Sequence, residues 1–179
     1  MIRTVFLAAA ALAATATAAS AQHAPTRRKV VESVTIQAPA DKVWAVVGNP
    51  TDATWIAHVV RAEAVTEDQK KPTYRLTLDN GHTLVEESRK LDAEARSFAY
   101  YLTKNDVADL PANDYSATVS VVPEGEAASR VEWKAAFYRG YPNNDPPPAL
   151  NDENSEKAVR AWIQASLGTL KARLEKGGS

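Results

Sequence analysis

The residues best suited to chemistry in this sequence are its histidines and a few of its carboxylates. Three histidines occur, His23, His58 and His82. An imidazole titrates near neutrality and serves acid–base work or metal ligation. None of the three has a second histidine or a carboxylate at ligand spacing on a helix, so no metal site is expected. His58, which follows Trp55-Ile56-Ala57, is the histidine candidate for acid–base catalysis, with a surface role as the plainer account. The chain has no cysteine, which removes disulfides, thiolate nucleophiles, zinc ribbons and iron–sulfur ligation. It carries no nucleophile elbow, P-loop or dinucleotide fingerprint, and no cofactor is expected. Asp106, Asp109, Asp114, Asp145 and Asp152 fall in loops or at element ends, where solvation or capping accounts for them.

Glu87 is the carboxylate singled out by pattern. Asn80-Gly81 between two alternating runs predicts a two-residue type I′ hairpin. That register sets Leu76 opposite Val85, Arg75 opposite Glu86 and Tyr74 opposite Glu87. Tyr74, Leu76 and Leu78 form the apolar face, so Val85 and Glu87 are expected to share it, with Arg75 and Glu86 paired outside. An enclosed Glu87 would have a raised pKa and serve as a general acid/base or ligand anchor. The alternative is a rim carboxylate or a register slipped by one residue.

The elements that must position these groups follow from hydrophobic periodicity. Lys29 to Gln37 is rich in β-branched residues and predicts a strand, although Glu32 shares the face of Val30, Val34 and Ile36. Pro39-Ala40-Asp41 opens a short helix that stops at Gly48-Asn49-Pro50. A second short helix is expected at Asp52 to Ala57. Six strands follow, at Val59–Val65, Thr73–Asp79, His82–Lys90, Ser97–Thr103, Asp114–Val122 and Arg130–Tyr138. A long helix spans about Asn154 to Lys176, with Val159, Trp162, Ile163, Leu167, Leu170 and Leu174 as one stripe and Asp152 or Asn154 as its cap. The fold class is α+β, a curved antiparallel sheet whose apolar face the C-terminal helix covers. Tyr115, Trp133 and Phe137 point inward beside Ala117 and Ala135. That mixture leaves either an aromatic-lined cavity or a core filled by the helix.

Residues 1–21 have a positive start at Arg3, an apolar run from Val5 to Ala16, and Ala19-Ser20-Ala21. This is the pattern of a Sec-type signal peptide and is too short for a stable membrane span. Residues 22–28 form a polar lead-in and 29–179 one domain. The formal net charge is −1, which argues against a duplex nucleic-acid binder.

The element order and the run Val31–Gly48 resemble the START/SRPBCC superfamily of polyketide cyclase/dehydrase-like proteins, which share the helix-grip fold. A narrower resemblance, to MxaD-type periplasmic proteins, rests on Leu76–Gly81, Val85–Glu87, Asp109–Pro111, Asn113–Tyr115 and the run Phe137–Pro148 followed by Leu150–Glu153. It implies a periplasmic, non-enzymatic accessory of quinone-dependent methanol oxidation, with a dehydrogenase or its cytochrome as partner. The partner contact would be the Pro-rich loop with Tyr141, Pro142, Asp145, Pro146, Pro147 and Pro148; the same loop would otherwise close the cavity mouth. The superfamily also implies two alternatives. One is a carrier of a small hydrophobic ligand, held by Trp55, Tyr74, Leu76, Val85, Glu87, Tyr115, Trp133 and Phe137. The other is a cyclase- or hydrolase-like enzyme using Glu87 or His58.

Overall fold

The computed structural model describes residues 24–65 and 71–176. The expected signal peptide and His23 lie outside them. In chain order the elements are β1 (Arg28–Ile36), α1 (Ala40–Val47), β2 (Val59–Ala64), β3 (Thr73–Leu78), β4 (Thr83–Asp92), β5 (Ser97–Lys104), β6 (Ala112–Pro123), β7 (Ser129–Arg139) and α2 (Asp152–Lys176). A single 3-10 turn, Pro148–Leu150, precedes α2. The seven strands form one antiparallel sheet in the order β1-β7-β6-β5-β4-β3-β2. This is the expected α+β helix-grip architecture. No helix among the described residues is long and apolar enough to cross a membrane.

Alternation along the strands buries one face. Tyr115, Ala117, Val119 and Val121 on β6 and Val131, Trp133, Ala135 and Phe137 on β7 all turn inward. β5 is apolar on both faces, yet Phe98, Tyr100 and Leu102 are the buried set. On its outer face, Tyr101 lies under the Arg89 guanidinium and donates to Asp114 at 2.8 Å. α2 lays Val159, Ile163, Leu167, Leu170 and Leu174 on this floor, chiefly over β1. There Glu32 explains the broken alternation of β1: it accepts from Arg160 and Gln164 of α2, while Arg28 pairs with Glu156.

Two local expectations fail. Residues 51–57 make turns rather than a second helix. Their bonds span three residues, Asp52 to Asn49, Ile56 to Ala53 and Val59 to Ile56. A segment this short cannot offset helix nucleation, and Ala53, Trp55 and Ile56 are all drawn into the core, which helical spacing would not allow. The cap of α2 is neither Asp152 nor Asn154. Asn151 Oδ1 accepts the Asn154 amide at 2.8 Å, the N-cap geometry, and this leaves Asp152 for another partner.

Candidate functional site

The β3–β4 hairpin decides what enters the interior. Its loop has three residues, Asp79-Asn80-Gly81, closed by the Leu78 amide on the His82 carbonyl and the Gly81 amide on the Leu78 carbonyl, both at 2.9 Å. A type I′ turn needs positive φ at Asn80 and Gly81 alike. Only Gly81 has it, at +85°, and the Asn80 side chain instead accepts the His82 amide at 2.9 Å. The extra loop residue moves the register by one. Leu76 faces Leu84, Tyr74 faces Glu86 and Arg75 faces Val85. Every side chain of β4 changes face accordingly.

Glu86, not Glu87, is therefore the interior carboxylate. Glu86 is 3% exposed. Glu87 and Val85 lie on the outer face, where Glu87 pairs with Arg89 at 3.1 Å. Arg75, deprived of the expected Glu86 partner, reaches Glu63 at 3.3 Å. The other expected cavity residues do converge. Trp55, Leu76, Tyr115, Trp133 and Phe137 are buried and Tyr74 is half-buried. His58 sits outside, exposed, at the start of β2. Its Nδ1 lies 2.9 Å from Asp79, and its ring packs on Trp162 with centroids 5.7 Å apart. It shares no site with Glu87. Sequence reasoning missed Glu86 and Tyr100. Reading Asp79-Asn80-Gly81 as a three-residue loop with glycine at the left-handed position would have found Glu86.

Around Glu86 the aromatic rings form one cluster of edge-on and tilted contacts. Tyr100 lies 6.2 Å from Tyr115 and 6.5 Å from Trp133. Trp133 meets Trp55 edge-on at 5.6 Å. Burial pushes the Glu86 carboxyl up to about 8, because removing a carboxylate from water favours its neutral form. Burial likewise raises Tyr115, and it raises Tyr100 further with Tyr115 and Glu86 beside it. At neutral pH the carboxyl and both phenols thus carry their protons and can donate. The Trp133 Nε1 interacts with the Tyr100 and Tyr115 hydroxyls but meets full hydrogen-bond geometry with neither. A buried donor held so loosely gains free energy from a better-placed acceptor.

The interior is closed. Two voids of about 10 Å³ flank Glu86, each room for about one water at most. The first is bounded by Asn49, Pro50, Ala53, Trp55 and Trp133, the second by Ile56, Leu110, Tyr115 and Trp162. Residues 49–56 therefore form the cover on the first side. That cover is held from outside by a bidentate Arg173–Asp52 pair at 2.8 and 2.7 Å, and beside it by the Ser166 hydroxyl, which accepts the Ala57 amide at 2.9 Å. A roomier hollow, about 370 Å³, opens instead on the outer sheet face between Lys29, Val31, Arg89 and Lys134.

The Pro-rich segment is built on a second buried charge. Arg139, 2% exposed, donates to the Tyr141 and Asn143 carbonyls at 3.0 and 2.8 Å and to Asp152 at 2.8 Å. Gly140 fits where a Cβ would stand 2.9 Å from Leu150 and 3.0 Å from the Pro111 backbone. Tyr141 and Pro146 are partly exposed; Pro142, Asp145, Pro147 and Pro148 are exposed.

A sheet closed over a long helix, with this element order, agrees with a family model. That of polyketide cyclase/dehydrase and lipid transport proteins matches residues 27–175. The chain belongs to this family. No curated protein matches it in sequence. Solved structures of similar fold include an uncharacterised protein of Bacillus thuringiensis, 20% identical over 82% of this chain and 98% of that one, with a TM-score of 0.69. The protein XoxI of Bacillus cereus is 20% identical over 82% and 94%, with a TM-score of 0.67. The Zhui aromatase/cyclase of Streptomyces sp. R1128 is 20% identical over 84% and 95%, with a TM-score of 0.62. At such identities the likeness establishes the fold alone, and a fold does not by itself fix an activity.

Proposed function

We propose that the protein binds a small, largely apolar molecule bearing a carbonyl-type oxygen, in the sheet–helix interior and against Glu86. One observation carries this reading: the protonated carboxyl, two phenols and the loosely held Trp133 indole N–H meet in one apolar interior. Neutral donors in a dry site favour an acceptor and strengthen as charge grows on it. Entry requires the 49–56 cover to move, since binding sites for such molecules enclose roughly 300–1,000 Å³. An aromatic ketone such as 1-tetralone, titrated against tryptophan fluorescence, should quench with saturation. Glu86→Ala and Trp133→Phe should weaken binding at least fivefold. Absence of saturable quenching by apolar ketones, or equal affinity in both variants, would reject the reading.

A second reading concerns the Pro-rich segment. Arg139 holds it from within, and a loop fixed on a rigid scaffold is suited to recognition. With the MxaD-type resemblance, this supports an exported, periplasmic accessory that contacts a dehydrogenase or its cytochrome through Tyr141 to Pro148. Deleting Pro146–Pro148 should abolish capture of such a partner with the fold intact. Unchanged capture would remove this reading.

A further inference from the structure

At the other end of the β3–β4 hairpin, two loops bring together groups that lie far apart in sequence. His82 follows the hairpin loop, and Asp106 and Asp109 come from the β5–β6 connection. That connection is firmly folded. The Asp109 and Leu110 amides donate to the Asp106 carbonyl at 3.1 and 3.0 Å. Asn105 Nδ2 donates to the Leu110 and Ala112 carbonyls, both at 2.9 Å, and Leu110 is buried in the core.

We propose that His82, Asp106 and Asp109 hold a divalent transition-metal ion. One nitrogen and two carboxylate oxygens lie within 4.8 Å of one another. His82 Nδ1 and Asp109 Oδ2 are 2.7 Å apart. Two donors each about 2.1 Å from a tetrahedral zinc stand about 3.4 Å apart, so this hydrogen-bonded pair would open by less than an ångström to take the ion. The Asp109 side chain is only 10% exposed. Among the described residues no lysine or arginine pairs with it; its partners are the imidazole and Asn80. A nearly buried carboxylate calls for a cation. Asn80 Nδ2 donates to the other Asp109 oxygen at 2.6 Å, the outer support that orients metal-binding carboxylates. A surface hollow of about 580 Å³ opens beside His82 and Asp106, lined also by Lys104 and Asn105. It gives an ion access and leaves coordination positions for water. An imidazole with two carboxylates suits zinc or manganese better than calcium or magnesium, which take oxygen donors alone.

The test is calorimetric titration of the purified protein with zinc chloride and, separately, manganese chloride. Saturable uptake of one ion per chain is expected. His82→Gln and Asp106→Asn should each weaken it at least tenfold. Both side chains are exposed, so circular dichroism should be unchanged. Asn80→Ala, which touches no ion directly, should weaken uptake about tenfold or more. No saturable uptake of either ion below millimolar concentration would show a plain imidazole–carboxylate pair and overturn the proposal. So would a loss of affinity smaller than tenfold in either ligand variant.

Discussion

Glu86 and Arg139 are both ionisable, both almost fully buried and about equally hidden from water, yet they shape the protein in opposite ways. Arg139 is matched by a carboxylate and two carbonyls. Its charge is retained, and the backbone of residues 140–152 is arranged around it. Among the described residues no cation lies beside Glu86; burial is the cause of its shift to about 8. It keeps its proton instead of its charge. A buried charge with partners builds structure, and a buried carboxyl without a cation keeps its proton.

The strongest way to break the comparison is to remove the matched charge. Arg139→Met should cost about 3–5 kcal/mol, because Asp152 would stay behind with one oxygen already unpaired. Urea unfolding measures it, and a loss under 1 kcal/mol would show that the arginine is not what organises the segment.

The unmatched charge should show itself through pH. The folded Glu86 keeps its proton up to about 8, whereas in the unfolded chain it releases it near 4.5, the ordinary value for a glutamate. Folding therefore takes up a proton between these values, and stability falls as pH rises through them. The benefit is fully present below the unfolded value and lost above about pH 8. Relative to Glu86→Gln, the unaltered protein should lose about 3 kcal/mol between pH 4.5 and 7. Parallel stability–pH curves for the two proteins would mean that Glu86 is solvated or paired.

Smaller changes sharpen the contrast. Gly81→Ala should cost about 1–2 kcal/mol, since Gly81 alone supplies the left-handed turn that turns Glu86 inward. A neutral effect in thermal melts would show that the register is fixed elsewhere. Glu63→Gln breaks exposed pairs with Arg61 and Arg75 and should shift stability by less than about 1 kcal/mol. A larger loss would mean that outer-face pairs matter as much as the buried one.

The fold was legible because its signals are long. Seven runs of alternating or β-branched residues and one stripe from Val159 to Leu174 leave few architectures. The site was less legible because it depends on single residues. Asn80-Gly81 matched the commoner turn, and one additional loop residue exchanged Glu87 for Glu86. Tyr100 was ambiguous because Tyr101 beside it is equally aromatic; Arg89 and Asp114, both distant in sequence from β5, decide which ring goes out. Asp152 resembled a cap until Asn151 took that place. The meeting of His82 with Asp106 and Asp109 needed two loops to fold against each other, which no local spacing encodes.

The hairpin has a consequence for how the interior is specified. Along β4, Leu84 and Val85 are both apolar, and Glu86 and Glu87 are both acidic. The strand by itself reads almost equally well in either phase: each would place an aliphatic group and an acid inside. The instruction that selects the phase is written five residues earlier, in one glycine. The choice of interior acid is thus stored as grammar rather than vocabulary, and a one-residue deletion in the turn would rewrite which glutamate lies inside without altering either of them.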